Sequence, residues 1–324
     1  MSGNESISLR ELGKTGIQIS PIGLGCWQFS DGKGGARGSW DPIPVEETNA
    51  IVKAALEGGI NWFDTAELYG YGRSERAVAR ALKLAGKRNG EVVIATKWMP
   101  LGRTARSIRN TIDERLHYLD GFDIDLYQIH FPLSFSSRKA EMNAMADLVE
   151  AGKIRAVGVS NFSARQMRTA HEALQARGLS LASNQVKYSL LDRRIESNGV
   201  LETARALGIT IIAYSPLEMG LLSGKFHKDP SLLDSRPRMR RLRLRRKLEE
   251  SRPLVEALER IAQAHGVTVP QVVLNWMLHF HGETVVVIPG ASKVRHVEQN
   301  VGAMKFRLSD AELAEIDRLS AQFK

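Results

Sequence analysis

The 324-residue chain is predicted to be an α/β protein forming one (β/α)8 barrel over residues 1–324. Three observations predict it. Short β-type runs alternate with helical stretches about eight times, the composition never breaks along the chain, and the glycine fingerprints of doubly wound nucleotide folds are missing. A chain of this length buries enough surface to need neither metal nor disulfide for stability.

The expected strands are Pro21–Gly25, Gly59–Asp64, Val92–Thr96, Ile124–His130, Arg155–Val159, Ala182–Gln185, Thr210–Tyr214 and Thr284–Ile288. Their near-continuous apolar character suits parallel strands covered on both faces. Between them lie stretches of helical period. Glu46–Leu56 ends at Gly58-Gly59, a helix stop, and Glu75–Leu84 reads alike. Thr104–Leu119 aligns Ile108, Ile112, Leu116 and Leu119 on one face, and Ser163 is an N-cap candidate for a helix to Ala176. Leu201–Ala206 stops at Gly208 and Leu254–Ala264 at Gly266. Gly70-Tyr71-Gly72 lacks the third glycine of a dinucleotide turn, and DGKGGARG sits in a polar loop. Gly13-Lys14-Thr15 would need a glycine where Ser8 stands to be a phosphate loop.

Composition narrows the function classes. Apolar residues make up 43 % and charged residues 25 %, as in soluble globular proteins. Cys26 is the single cysteine, which excludes an internal disulfide and suits a reducing compartment. The opening MSGNESISLR has no apolar leader, and no apolar run approaches ~20 residues, so a soluble, cytoplasmic protein without membrane contact is expected. Net charge is +9, of which the segment from Arg236 to Arg252 carries +7. Basicity is therefore local. With no aromatic among those arginines, a solvated loop leading into an amphipathic helix is the expectation, and nucleic acid is disfavoured as a partner.

Barrel chemistry gathers at the carboxyl ends of strands. The second strand ends in Asp64, with Tyr69 following; the third ends in Thr96-Lys97 and the fourth in His130. Each has an ordinary explanation alone: a cap, loop packing, a solvated lysine, a core histidine. Their placement at successive strand ends has a chemical one. A phenol is a poor acid at neutral pH until a buried ammonium lowers its pKa, a carboxylate keeps that ammonium charged, and a histidine can orient a carbonyl.

The run GGINWFDTAELYGYGRSE resembles the aldo-keto reductase signature. ATKW, DLYQIHFP, AGKIRAVGVSNFS, NQVKYSLLDR, IIAYSPLEMGLLSGKF, PQVVLNW and VVVIPGASKVRHVEQN follow in order, so the likeness covers about Leu9 to Leu319. The resemblance implies a TIM barrel binding a nicotinamide cofactor across its carboxyl face. It implies Asp64, Tyr69, Lys97 and His130 as catalytic tetrad, with Tyr69 the general acid. Ser160, Asn161 and Gln185 correspond to groups that hold the nicotinamide carboxamide, and Tyr214 to the aromatic beneath the ring. Gly25 and Trp27 at the first strand end, and Ser215, Leu217, Gly220 and Gly224 in the seventh loop, complete the cofactor set on that side. Gly290, Ser292, Lys293, His296, Gln299 and Asn300 correspond to the element that takes the adenosine 2′-phosphate and adenine. His296 stands where many relatives carry arginine, so NADPH is favoured only moderately, with NADH as the weaker alternative.

Trp27, Trp98 and Phe131, with Trp40 nearby, are candidates for an aromatic wall suited to apolar aldehydes and ketones. A redox role for Cys26 and a metal site at His279 and His281 are both disfavoured. The function expected is NADPH-dependent reduction of small carbonyl compounds. The alternative is a redox-sensing regulatory subunit of potassium channels, as some relatives are; the stretch before Leu9 is too short for an inactivating tail. Homo-oligomers occur among relatives, but no residue marks an interface.

Overall fold

The computed structural model describes residues 7–33, 41–234 and 238–324. Trp40 and Arg236 lie outside the described residues. Two strands, β1 (Arg10–Glu11) and β2 (Gln18–Ile19), pair antiparallel as a hairpin. Eight parallel strands follow: β3 (Leu24–Gly25), β4 (Trp62–Asp64), β5 (Val93–Trp98), β6 (Ile124–Ile129), β7 (Ile154–Ser160), β8 (Leu181–Lys187), β9 (Thr210–Tyr214) and β10 (Val285–Val287). Each pairs with its sequence neighbour. The Gly23 amide donates to Val287 O at 2.9 Å and the Val287 amide to Pro21 O at 3.1 Å, joining the first strand to the last and closing the barrel. Every expected strand is present.

The helices between them are α1 (Val45–Glu57), α2 (Arg73–Leu84), α3 (Arg106–Tyr118), α4 (Arg138–Glu150), α5 (Ala164–Gln175), α6 (Val200–Leu207), α7 (Lys225–Lys228), α8 (Arg238–His265), α9 (Val269–His279), α10 (Val294–Gly302) and α11 (Asp310–Ser320). Ser163 caps α5 as expected, in a box with Gln166. The expected Leu254–Ala264 helix is only the second half of α8. Strong helix formers (Arg, Leu, Lys, Glu) carry it back through Pro253 to Arg238, so the basic segment from Arg238 on is helix where a loop was expected. None of its described side chains lines the cleft described below. No helix of the described residues is long and apolar enough to cross a membrane.

Side-chain period two in the strands makes two cores. Inward residues Trp62, Val93, Ala95, Leu126, Ala156, Ile212 and Val286 fill the barrel, while outward ones pack under the helices. Leu12, Ile17 and Ile19 of the hairpin join the inner cluster beside Trp62 and Val93, at the amino-terminal ends of the strands. The hairpin therefore plugs the bottom. Gly13-Lys14-Thr15 lies in its turn, where Gly13 takes φ +60°. The carboxyl end is left open for a cleft.

Candidate active site

In β5 the residues Val93, Ala95 and Lys97 point inward. Lys97 is the last of them and lies above the packed layers, fully buried. Its Nζ donates to Asp64 Oδ1 at 2.5 Å and to Thr65 O at 2.8 Å. The other carboxylate oxygen of Asp64 accepts from Gln185 Nε2 at 2.8 Å and from Gln128 Nε2 at 3.2 Å. Burial pulls the Lys97 pKa down, but Asp64 and Tyr69 outweigh it and the net direction is up, so the ammonium stays charged.

Tyr69 follows β4 in a turn closed by its amide on Ala66 O at 3.0 Å. Lys97 Nζ sits 4.9 Å from its ring centre, and the His130 ring meets it edge-on at 5.7 Å. Burial raises the phenol's pKa, and Lys97 only offsets it, so the net direction is up, not down as expected from the lysine alone. The proton is thus held on Tyr69 at neutral pH. His130 stacks on Phe131 at 4.4 Å and 4°. Burial and the Lys97 charge push its pKa far down, which keeps the ring neutral.

At the ends of β7 and β8, Ser160 Oγ donates to Gln185 O at 2.9 Å, and Asn161 Nδ2 donates to Ser160 Oγ at 3.0 Å. Asn161 adopts φ +61°, and its Oδ1 accepts from Tyr214 OH at 3.0 Å. Asparagine tolerates that left-handed backbone better than most residues. The arrangement lays the Tyr214 ring and the Asn161 amide side by side on one wall.

These groups border a cleft of about 550 Å³ at the carboxyl end of the barrel. The structure brings to it Asp64, Tyr69 and His130, then Gly25, Trp27, Phe131, Ser160, Asn161, Gln185 and Tyr214. It also brings Ser215, Leu217, Gly220, Gly290, Ser292, His296, Gln299 and Asn300. Lys97 reaches it only through Asp64 and Tyr69.

Three expected residues fall elsewhere. Trp98 neighbours Lys97 in sequence, so period two turns its ring outward; it is fully buried under the helices, with Nε1 donating to Ser107 Oγ at 3.1 Å. It is not a wall of the cleft. Gly224 turns the chain at φ +79° into α7, and a Cβ there would come 2.8 Å from Glu259. Lys293 is the exposed cap residue before α10. Residues that sequence reasoning missed include Gln128, Gln28, Met219 and Lys225. Gln128 stands two before His130, so the strand alternation that puts His130 inward could have found it. The Cys26 thiol borders the cleft but is buried, and burial with Asp64 nearby holds its pKa well above the usual range.

A dinucleotide fits this donor set. Buried Asn300 Nδ2 and Gln28 Oε1 have no partner among the described residues, and both residues line the cleft. A Cβ on Gly290 would meet the Gln28 amide at 2.2 Å, so the backbone must pass bare there. Lys225 and Arg295 supply positive charge at the same end.

The family model described as Aldo/keto reductase family matches residues 21–321. The chain belongs to the aldo/keto reductase family. As an aldo/keto reductase it is an oxidoreductase acting on carbonyl compounds, in a family that generally uses NADP(H). It is 36 % identical over 315 residues to the chloroplastic pyridoxal reductase of Arabidopsis thaliana, covering 93 % of this chain and 83 % of that one. It is 31 % identical to the NADP(+) aldo-keto reductase yakc of Schizosaccharomyces pombe, over 96 % of this chain and 91 % of the other. Among solved structures, a thermostable aldo-keto reductase in complex with the inhibitor epalrestat superposes with TM-score 0.76 at 31 % identity, covering 96 % and 99 % of the two chains.

Proposed function

We propose that this aldo/keto reductase reduces aldehydes and ketones with NADPH, Tyr69 giving the proton, and that residues 1–324 act as one barrel unit. The observation that carries the reading is the buried Lys97–Asp64 pair set behind Tyr69 at the floor of the cleft.

NADPH, when bound, supplies a hydride. The protein does the rest. Ser160, Asn161 and Gln185 offer the donors and acceptors that hold a carboxamide, and Tyr214 offers a flat face for a ring. Ser292, Gln299 and Asn300 suit the adenosine end, with Arg295 and Lys225 for its phosphate. His130, neutral, donates an N–H to the substrate oxygen and orients it toward Tyr69. As negative charge grows on that oxygen, Tyr69 gives up its proton. The Lys97 ammonium lowers the cost of the phenolate left behind, and Asp64 holds that ammonium in place. Trp27, Leu68, Phe131 and Met219 make the rest of the floor apolar and aromatic, which favours aldehydes on apolar or aromatic rings.

The test is a fluorescence titration with NADPH and NADH, followed by an aldehyde panel read as loss of reduced-cofactor absorbance. Tyr69→Phe is run alongside. Tight NADPH binding with turnover that falls ~100-fold or more in Tyr69→Phe supports the mechanism. Binding without turnover of any carbonyl points to a redox-sensing subunit instead, and absence of nucleotide binding sinks the reading.

A further inference from the structure

One end of the cleft is lined by two cationic side chains, Lys225 and Arg295, with Lys293 just outside it. Ser292, His296 and Asn300, four apart, share one side of α10 and the turn before it, and all line the cleft. The charges that act on the His296 ring are those of Lys293, the cap before α10, Arg295 in α10, Lys225 in α7 and Glu47 in α1. Glu47 is partly engaged already, accepting from the Val294 amide at 3.2 Å. Three cations thus stand against one carboxylate. Asn300 Nδ2, on a residue 2 % exposed, has no partner among the described residues. A site so built suits an anion.

The hydrogen bonding at His296 fixes its state. The Ser292 amide donates to His296 Nδ1 at 3.4 Å, and Ser292 Oγ lies 3.5 Å from the same atom. Nδ1 is therefore an acceptor, and a neutral ring carries its proton on Nε2. Burial and the neighbouring cations, led by Arg295, hold its pKa below the usual histidine value. An imidazole is the side chain whose ordinary pKa lies nearest neutrality, so the ring is where a proton can be taken up.

We propose that His296 couples recognition of the phosphate at the adenosine end to uptake of one proton, so that preference for the phosphorylated dinucleotide strengthens as pH falls. The inference rests on the dinucleotide reading above. A phosphate dianion beside the ring favours the imidazolium. The proton comes from solvent and adds to Nδ1. That ends the acceptor role of Nδ1 and leaves the Ser292 amide and hydroxyl free to donate to phosphate oxygens. His296 is then a specificity-determining residue whose strength the pH sets.

The linkage sign follows. Complex formation raises the histidine pKa, so affinity for the phosphorylated nucleotide rises as pH falls through the value in the complex. It levels off below the value in the free protein. The unphosphorylated nucleotide has no such slope. Titration of the ligand's own phosphate, with a second pKa near ~6, opposes the trend by making the ligand less charged in acid.

Dissociation constants for NADP+ and NAD+ would be measured by protein fluorescence from pH 6 to 8.5, for wild type, His296→Arg and His296→Gln, with thermal melting checking the fold of each. The wild-type preference for NADP+ is expected to rise roughly three- to tenfold from pH 8 to 6, below the tenfold per pH unit that one linked proton allows. His296→Arg binds NADP+ tighter than wild type at pH 8 and loses the rise. His296→Gln binds it weakly and loses the rise. A wild-type preference that is flat or weakens toward acid overturns the proposal while leaving the dinucleotide reading intact. So does a Gln variant that keeps the rise. Failure of both nucleotides to bind wild type at every pH overturns the two together.

Discussion

Lys97 Nζ lies 2.5 Å from Asp64 Oδ1 with both side chains shut away from solvent, and Tyr69 forms the lid of the pair. Such a pair gives little net stability over apolar residues, because both charges are desolvated, but breaking it leaves one charge stranded. Lys97→Met strands Asp64 against only the Gln128 and Gln185 amides. The expected loss is about 3–5 kcal/mol by urea unfolding, with turnover falling by ~100-fold or more as the phenolate loses its counter-charge. A variant as stable and as active as wild type would remove Lys97 from the mechanism.

Behind the same strand, Glu75 is fully buried, accepting from Thr96 Oγ1 at 2.7 Å and from Arg115 Nη1 at 3.0 Å. Burial lifts its pKa from 4.5 to about 7, against the pull of Arg115 and Thr96. The folded value exceeds the unfolded one, so this carboxyl stabilises the fold at acid pH and loses that contribution as pH rises from about 4.5 to about 7. Glu75→Gln, a neutral stand-in for the protonated form, should match wild type near pH 5 and exceed it by about 2–3 kcal/mol at pH 8. Urea unfolding at the two pH values decides. An equal gap at both would mean that Glu75 does not titrate in this window.

His130 Nδ1 has no hydrogen-bond partner among the described residues, and the ring stacks on Phe131 and meets Tyr69 edge-on. Phe131→Ala removes that support without touching Tyr69 or Lys97. Turnover number should drop roughly tenfold, inside the ~100-fold that a misplacement of about 1 Å can cost. Nucleotide affinity should hold. Unchanged turnover would show that Tyr69 and the backbone suffice to fix the ring.

Much of this architecture is legible in residue order. The barrel strands announce themselves as apolar runs, and Asp64, Lys97 and His130 as polar residues at their ends. Trp98 is misjudged when adjacency to Lys97 is weighed above strand alternation, which sends neighbours to opposite faces. The phenol of Tyr69 is misjudged because sequence names the lysine that lowers its pKa and not the burial that raises it. Helix α4 escapes because its buried face mixes Met142, Met145, Leu148 and two alanines with a buried Glu141, a weak apolar signal. The hairpin escapes because its strands are two residues each, held by contacts with residues more than forty positions away, such as the Asn61 bond to Gln18 O.

That hairpin yields a prediction that separates docking from backbone strain. Gly13 and Gly16 both take left-handed backbone, at φ +60° and +74°. A Cβ on Gly16 meets nothing within 4 Å, whereas one on Gly13 would lie 2.6 Å from Ala182 O and 2.8 Å from its Cα. Gly16→Ala should therefore cost only the conformational strain, about 1 kcal/mol. Gly13→Ala should cost about 2–4 kcal/mol, since the hairpin must also back away from β8 and give up the Gly13 amide bond to Thr210 Oγ1. The cleft is at the other end of the barrel, so turnover of the folded variant at low temperature should stay near wild type while the melting temperature falls. Equal costs for the two alanines would mean that the hairpin sits loosely on the barrel floor and that the inner core is closed by the strand side chains alone.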